Sequence, residues 1–275
     1  MFQSEFLDSS FHELYESAKK AHTVYHTAEP FPYICIDNFF KPERLKQVLQ
    51  EFPDMQKDND IRYKNVNEDK YASRSESRFG EVTRRYVHFL NSQPFLAYLS
   101  HLTGIEGLLP DPYFWGGGFH QIKSGGFLKI HADFNRHPYL NLDRRLNLLV
   151  YLNEDWDESY GGHFELWDKK MRGCVVKLLP LFNRMVVFNT TNDSYHGHPD
   201  PLACPEGRSR KSLALYYYTN GRPANEIGMS RMATDFCGRE GLDSRHMKHY
   251  NKMIQLVSAI TPPILFKYYK KYMNK

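Results

Sequence analysis

The sequence predicts a mainly β fold with flanking helices, whose core is a sandwich of the double-stranded β-helix (jelly-roll) type. The first observation is a series of short β-type runs between residues 105 and 220, separated by glycine and proline turns. Many short strands with regular turns are typical of a sandwich or barrel. The second observation is that aromatic residues make up 15% of the 275 residues, which suits strands and lined pockets better than a helical bundle.

We predict a single domain over residues 1–275, because no linker separates a second unit. Residues 1–104 are predicted to give helical support with one or two strands, residues 105–220 the jelly-roll core, and residues 221–275 a C-terminal helical extension. Within the first part, residues 54–78 are polar with little periodicity. Such a segment in a compact domain is often a lid or binding loop, and a solvated loop is the equal alternative.

Helical periodicity precedes the β-rich region in three places. Apolar residues recur at helical spacing in residues 4–27, between Pro42 and Pro53, and from Arg84 to Leu102. A short strand is predicted at Phe31–Ile36. Seven more strands are predicted in the core, at Phe119–Ile122, Phe127–His131, Leu146–Leu152, Phe164–Trp167, Val175–Leu179, Met185–Phe188 and Ser212–Tyr218.

Charge and composition exclude several classes of protein. The net charge of +4 is too small to predict nucleic-acid binding. No apolar run reaches the length of a transmembrane helix, and the N-terminal residues lack the pattern of a secretory signal. The four cysteines are far apart, which fits neither a disulfide framework nor a structural zinc site. We expect reduced thiols in a cytoplasmic protein.

The first candidate for chemistry is the pair His131 and Asp133, at the end of a predicted strand. Residues i and i+2 of a strand point in the same direction, so the imidazole and the carboxylate face one point. A further histidine from another strand would complete the facial set of two histidines and one carboxylate that binds non-haem Fe(II). Alone, His-x-Asp is weak evidence, because it also forms structural hydrogen-bonded pairs.

A second polar cluster contains His196 and His198, and both are candidates for the third ligand because they share a direction in an extended segment. A later strand begins near Arg210. A buried cation there requires an anionic partner, and arginine pairs bidentately with carboxylate. Arg208 and Lys211 are the alternatives, although Arg208 follows a turn and Lys211 alternates to the opposite strand face.

Together these motifs resemble the iron(II)- and 2-oxoglutarate-dependent oxygenases of the prolyl 4-hydroxylase-like branch. The resemblance covers about residues 105–220, with weaker agreement at Phe31–Pro53. Six pieces follow the order of the family: His131-Ala132-Asp133, Leu146–Trp156, Gly161–Leu166, Leu179–Phe188, His196 and Ser209–Ser212.

The resemblance implies that His131, Asp133 and His196 ligate iron, and it favours His196 over His198. It also implies that Arg210 binds the remote carboxylate of 2-oxoglutarate.

In the same resemblance Tyr151 hydrogen-bonds that carboxylate, and Asn147, on the same strand face as Tyr151, lines the pocket. One departure concerns the strand before His-x-Asp, where many relatives have a tyrosine that touches the cofactor. This chain has no tyrosine there, and Gln121 is a weak substitute.

The implied activity is hydroxylation of an aliphatic carbon, coupled to decarboxylation of 2-oxoglutarate to succinate. Fe(II) and 2-oxoglutarate are the expected cofactors, with ascorbate as a candidate reductant. The carboxylate of Asp133 favours hydroxylation, because related halogenases lack it. The substrate is either a side chain in a protein or peptide, prolyl included, or a small biosynthetic molecule.

Two alternatives remain open. A hydroxylase of a sugar or glycolipid at the membrane surface is one, since the basic, aromatic tail of residues 266–275 could make peripheral membrane contact. A jelly roll that keeps its metal without turnover is the other, and the intact ligand set with Arg210 counts against it. No nucleic-acid partner is expected, and the oligomeric state is not predicted.

Overall fold

The computed structural model describes residues 4–56, 60–73, 75–226, 230–243, 247 and 249–253. Its helices are α1 Phe11–His26, α2 Pro42–Gln50, α3 Glu81–Leu90 and α4 Gln93–Thr103. Its strands are β1 Tyr33–Asp37, β2 Ile61–Lys64, β3 Asp69–Ala72, β4 Leu109–Pro110, β5 Gly118–Lys123, β6 Leu128–Ala132, β7 Asp143–Tyr151, β8 Phe164–Trp167, β9 Cys174–Leu178, β10 Arg184–Asn189, β11 His196–His198, β12 Ser209–Thr219 and β13 Asp235–Phe236.

The strands form two antiparallel sheets. The larger has the order β1-β10-β7-β12-β5-β3-β2, with β4 pairing additionally with β12. The smaller has the order β13-β6-β11-β8-β9. Two antiparallel sheets with non-consecutive neighbours are the arrangement of a jelly roll, so the predicted fold class is confirmed.

Side chains alternate between the two faces of β7, and this alternation determines which of them point into the space between the sheets. Leu148 and Val150 pack with the helices in the main core, on the outer face of the larger sheet. Leu149 and Tyr151 pack instead with residues of the smaller sheet, such as Phe164. Because successive side chains point to opposite faces, the polar side chains on the inner face of β7 lie between the two sheets.

The helices form where sequence periodicity and caps agree. Ser10 and Glu13 form a capping box at the start of α1. Leu14 and Ala18 lie on the buried face of this helix. The predicted continuous helix from Arg84 to Leu102 is instead two helices, α3 and α4. The chain breaks at residues 91–92, because Pro94 is accommodated in the first turn of a new helix and not in the interior of a continuous one.

The segment 54–78 differs from its prediction as an unpatterned lid-like loop. Strands β2 and β3 form a hairpin within it, and β3 pairs with β5 at the edge of the larger sheet. Arg62 donates to Asp69 across this hairpin over 2.7 Å. Polar edge strands of this kind lack the apolar alternation by which strands are recognised. Residues 57–59 and 74 lie outside the described residues.

The predicted C-terminal helical extension over residues 221–275 is also partly corrected. Its β13 is a strand that pairs with β6, with Phe236 opposite His131. In this region a 3-10 helix is described at Ala224–Glu226, and α-helical structure at residue 247 and residues 249–253. The tail of residues 266–275 lies outside the described residues. In the part of the chain that is described, none of the helices has the length and apolarity to cross a bilayer.

Candidate metal centre and co-substrate pocket

His131, Asp133 and His196 lie together between the two sheets. His131 is near the end of β6 and pairs directly with His196, the first residue of β11, while Asp133 follows β6. One ligand atom from each residue lies within 4.8 Å of the others, and all three residues are buried. The structure therefore brings the three predicted ligands to one point.

The hydrogen bonds of both imidazoles orient them toward that point. Nδ1 of His131 lies 2.8 Å from the carbonyl of Lys129, and Nδ1 of His196 lies 2.8 Å from the carbonyl of Ser194. A backbone carbonyl accepts only from a protonated nitrogen, so these contacts assign the proton to Nδ1 and leave Nε2 as a lone-pair donor. Burial, followed by the neighbouring His196, lowers the pKa of His131 to about 3, so its ring is neutral.

The carboxylate of Asp133 is held in one orientation. Its Oδ2 accepts hydrogen bonds from Nη2 of Arg144 and from the amide of Asn147, each over 2.8 Å. Its Oδ1 lies 3.6 Å from Nε2 of His131. Burial alone would raise the pKa of Asp133, but the charge of Arg144 and then the neighbouring His196 hold it well below its usual range. The carboxyl group of Asp133 is therefore ionised.

Arg144 is a functional residue that the sequence analysis missed. It is completely buried, and its guanidinium lies between the rings of Phe134 and Tyr216, 4.4 and 3.4 Å from their centroids. A register shift in the pairing of β7 with β12 turns it toward the inside. Its Nη1 has no hydrogen-bond partner among the described residues. The available signal was its place three residues before Asn147, just ahead of the predicted strand Leu146–Leu152.

Asn147 differs from its predicted place in the co-substrate pocket. Its side chain bonds to Asp133 and accepts from Nε of Arg144 over 2.9 Å. Among the described residues no hydrogen bond joins it to Arg210 or Tyr151. The prediction placed Asn147 in the co-substrate pocket because it shares a strand face with Tyr151. Its side chain instead contacts the carboxylate of Asp133.

Arg210 and Tyr151 form a second polar group between the sheets. Nε of Arg210 donates to the carbonyl of Gly162 over 2.9 Å, and its Nη2 donates to the hydroxyl of Tyr151 over 3.2 Å. Among the described residues Arg210 forms no ion pair with an acid. Burial raises the pKa of Tyr151 to about 12, so its hydroxyl keeps a proton to donate. The pair is suited to receive an anion.

The alternatives to Arg210 lie elsewhere. The guanidinium of Arg208 donates to the carbonyls of Glu154 and Asp155. Lys211 points to the other face of β12, where its amine lies 5.7 Å from the ring centroid of Phe52. The predicted alternation along the strand accounts for this difference.

His198 does not join the metal cluster, and it is not the solvent-facing residue that the sequence allowed. It is buried, and both ring nitrogens lack a hydrogen-bond partner among the described residues. Burial, followed by the charge of Arg210, holds the pKa of His198 well below its usual range, so the ring is neutral. Gly197 separates it from His196, and a Cβ there would lie 2.8 Å from the carbonyl oxygen of Leu128.

The other residues considered from the sequence have structural contacts. His137 is fully buried, with Nε2 3.3 Å from Asp111. The amide of Gln121 donates to the hydroxyl of Ser209 over 2.9 Å.

The residues present fit a ferrous ion and a dicarboxylate. Two imidazoles and one carboxylate are the donor set of the facial triad that leaves open positions on non-haem Fe(II). The buried Arg210, without an acid beside it in the described part of the chain, fits the remote carboxylate of a keto acid.

Comparison with known sequences agrees with this fit. Residues 117–218 match the 2OG-Fe(II) oxygenase superfamily, and that range contains all six predicted site residues. Over this part of the chain, the predicted resemblance to the iron(II)- and 2-oxoglutarate-dependent oxygenases is confirmed.

The individual proteins that this chain resembles include prolyl hydroxylases. The chain is 26% identical over 208 residues to prolyl 3-hydroxylase OGFOD1 of Xenopus laevis, covering 69% of this chain and 35% of the relative. The chain thus spans about a third of the length of that curated relative.

Two solved structures share the fold. One is a prolyl hydroxylase from Trichoplax adhaerens in complex with a hypoxia inducible factor oxygen degradation domain peptide fragment. It has a TM-score of 0.57 and 17% identity, and the match covers 77% of this chain and 94% of that one. The other is a Pseudomonas putida prolyl-4-hydroxylase, with a TM-score of 0.54 and 17% identity over 74% of this chain and all of that one.

Proposed function

We propose that the protein is an Fe(II)- and 2-oxoglutarate-dependent hydroxylase of an aliphatic carbon in a protein or peptide side chain, with a prolyl residue as the first candidate. The observation that carries the proposal is the presence of two complementary groups between the same two sheets. One is the cluster His131, Asp133 and His196. The other is the buried pair Arg210 and Tyr151.

The roles of the residues follow from their contacts. His131 and His196 present Nε2 to the metal, and Asp133 presents its carboxylate, which Arg144 holds in place. Arg210 and Tyr151 orient the keto acid by its remote carboxylate. Bound together, the ferrous ion and 2-oxoglutarate would supply the chemistry by which dioxygen hydroxylates the substrate, with release of succinate and carbon dioxide.

Aromatic packing around the cluster supports a dry site. The ring of Phe188 lies 4.7 Å from that of His196, and the ring of Phe164 lies 5.5 Å from it. On the other side, Phe236 of β13 lies 5.3 Å from the ring of His131. These side chains exclude water from the ligand side of the centre, which strengthens the electrostatic interactions within it.

A surface of exposed aromatic side chains supports a peptide substrate. We call Tyr113, Trp115 and Tyr139 the aromatic rim, and their exposed fractions are 58%, 37% and 57%. The loop that carries Trp115 is adjacent to the centre, because a Cβ on the next residue, Gly116, would contact Tyr216 and Phe134, which follows Asp133 directly. Exposed aromatic faces bind proline-rich and extended peptides.

The alternatives receive less support. A binding module that only retains a metal does not require both the cluster of His131, Asp133 and His196 and a buried Arg210 without an acid partner among the described residues. For a sugar or glycolipid at a membrane, the tail on which the idea depends lies outside the described residues. Ascorbate as reductant, a cytoplasmic location and peripheral membrane contact are kept as proposals from the sequence.

The test is a screen of peptides for succinate release by the anaerobically iron-loaded protein. Each proline-containing peptide is paired with one in which proline is replaced by alanine, and Asp133→Ala is the enzyme blank. We expect proline-dependent succinate release and the gain of one oxygen atom by the peptide. Amino-acid analysis then separates 3-hydroxyproline from 4-hydroxyproline. Turnover with sugars and with none of the peptides would contradict the proposed substrate.

A further inference from the structure

His198 is a buried side chain that the roles assigned so far do not use. It is only 2% exposed, and neither Nδ1 nor Nε2 has a hydrogen-bond partner among the described residues. Burying an imidazole without partners costs desolvation free energy that a leucine at the same place would not cost. Buried polar groups in proteins are nearly always paired, so an unpaired one indicates a missing ligand or water.

The position of His198 indicates what that partner is. It is the last residue of β11, two residues beyond His196, and it pairs with Leu128 of β6. Residues two apart on a strand share a face, so the side chain of His198 points between the two sheets, as that of His196 does. Arg210 and Tyr151 lie between the same two sheets.

Arg210 itself lacks an acid partner in the described part of the chain, and its neighbour Tyr151 keeps a hydroxyl proton. A carboxylate bound beside Arg210 and Tyr151 could accept more hydrogen bonds than these two residues donate, because each of its oxygens accepts about two. A neutral imidazole has one N–H to donate. Gln121, on the neighbouring strand, is already engaged with Ser209 over 2.9 Å.

We propose that His198 donates its ring N–H to the remote carboxylate of 2-oxoglutarate, as the third residue of an anchor with Arg210 and Tyr151. This inference rests on the proposed function and adds a specificity-determining residue to it. In this role His198 favours keto acids that carry a second carboxylate over those that end in a methyl group.

The experiment measures binding and does not depend on turnover. The Fe(II)-loaded protein is titrated anaerobically with 2-oxoglutarate and with 2-oxopentanoate, in which a methyl group replaces the remote carboxylate. Chelation of the metal by either keto acid gives a charge-transfer absorption band whose growth yields a dissociation constant. Wild type, His198→Leu and His198→Gln are compared, and metal affinity and thermal unfolding are measured for each.

We expect His198→Leu to weaken 2-oxoglutarate binding by about fivefold, the size of one ordinary hydrogen bond. The affinity for 2-oxopentanoate is expected to stay the same, because the lost partner is absent from that ligand. His198→Gln is expected to recover part of the lost affinity, since its amide can donate.

Equal 2-oxoglutarate affinity in wild type and His198→Leu would overturn the assignment of His198 alone. Equal weakening of both keto acids would overturn it too, because the effect would then be structural. Absence of the absorption band in wild type with either keto acid would overturn the proposed function together with this inference. If His198→Leu does not fold, the comparison of both ligands in His198→Gln decides, with a smaller expected loss confined to 2-oxoglutarate.

Discussion

The buried guanidinium of Arg144 donates to Oδ2 of Asp133 over 2.8 Å, on the side of the carboxylate away from His131. This contact holds the carboxylate in one orientation, with Oδ1 3.6 Å from Nε2 of His131 and Oδ2 3.4 Å from Nε2 of His196. Partners of this kind orient ligands and raise metal affinity, although they never touch the ion.

We therefore expect Arg144→Met to weaken metal binding by about tenfold to a hundredfold. Methionine keeps much of the volume between Phe134 and Tyr216 and removes the donor. The adjacent Arg145 offers a matched control, because it is also buried but bonds to Thr219 and Glu226. Competition with a metal-binding dye measures both variants. Equal losses in Arg144→Met and Arg145→Met would contradict a specific role of Arg144.

His131→Ala and Asp133→Ala are each expected to abolish succinate formation while leaving the far-ultraviolet circular dichroism spectrum unchanged. Each variant removes one of three metal ligands and leaves the apolar walls of the site in place. His163→Ala is the control histidine, since its partner is Glu158 and it does not belong to the cluster. Undiminished turnover in either ligand variant would refute the metal assignment.

Arg210→Ala is expected to raise the 2-oxoglutarate concentration needed for half-maximal rate by at least about tenfold, or roughly 1.4 kcal/mol. The reason is loss of the bidentate partner of the remote carboxylate. Lys211→Ala is the control, because that residue lies next to Arg210 but on the opposite face. A normal requirement in Arg210→Ala would contradict the assignment of Arg210 to the remote carboxylate.

Trp115→Ala is expected to raise KM for a peptide substrate by about fivefold or more, because exposed aromatic anchors contribute strongly to binding. The requirement for 2-oxoglutarate should stay the same, since Trp115 belongs to the aromatic rim and not to the anchor of the keto acid. Steady-state kinetics with each substrate varied in turn separates the two effects. Val24→Ala, an exposed apolar residue on α1, is the control. An unchanged peptide KM would remove the rim from the substrate site.

Glu51 links two helices in a way that depends on pH. Its carboxylate accepts from the backbone N–H groups of Val82 and Thr83, over 3.0 and 2.7 Å, at the first turn of α3. The cap position of that helix, Gly80, supplies no side-chain cap, and a Cβ there would collide with the carboxylate of Glu51. Burial alone would raise the pKa of Glu51, but the hydrogen bonds from Thr83 and Val82 hold it below its usual value.

Because the pKa is lowered in the folded state, the stabilisation is present above the unfolded pKa of about 4.3 and is lost as pH falls through the folded value. Glu51→Gln is expected to lower the free energy of unfolding by about 1 kcal/mol at neutral pH. The difference should shrink toward zero in steps down to about pH 3, as measured by urea unfolding. Glu106→Gln, at an exposed position, is the control. A difference independent of pH would contradict the role of the charge.

Local patterns in the sequence were sufficient to predict most of the core strands and the inward direction of Arg210, whereas the position of Tyr151 was predicted from the family resemblance. The direction of Arg210 follows from the period of two within one strand. The position of Arg144 could not be obtained in this way. The register of β7 against β12 shifts next to Arg144, so its side chain points to the opposite sheet face from the one that strict alternation predicts. That shift depends on the pairing of two strands.

Other elements were missed because their patterns are set by tertiary contacts. The hairpin of β2 and β3 is polar because it lies at a sheet edge, and β13 has only two residues, held by pairing with β6. Strand β11 is too short to show any period. The sequence supplied the identity of His196 and His198, but only the packing of β11 against β6 separates their surroundings.

The backbone contact at Gly197 has a consequence for the metal centre. With a carbonyl oxygen 2.8 Å from where any Cβ would stand, this position admits no larger residue unless the neighbouring strand moves away. Any side chain at position 197 would therefore push β11 away from β6 and separate His196 from His131, which pair directly across these two strands.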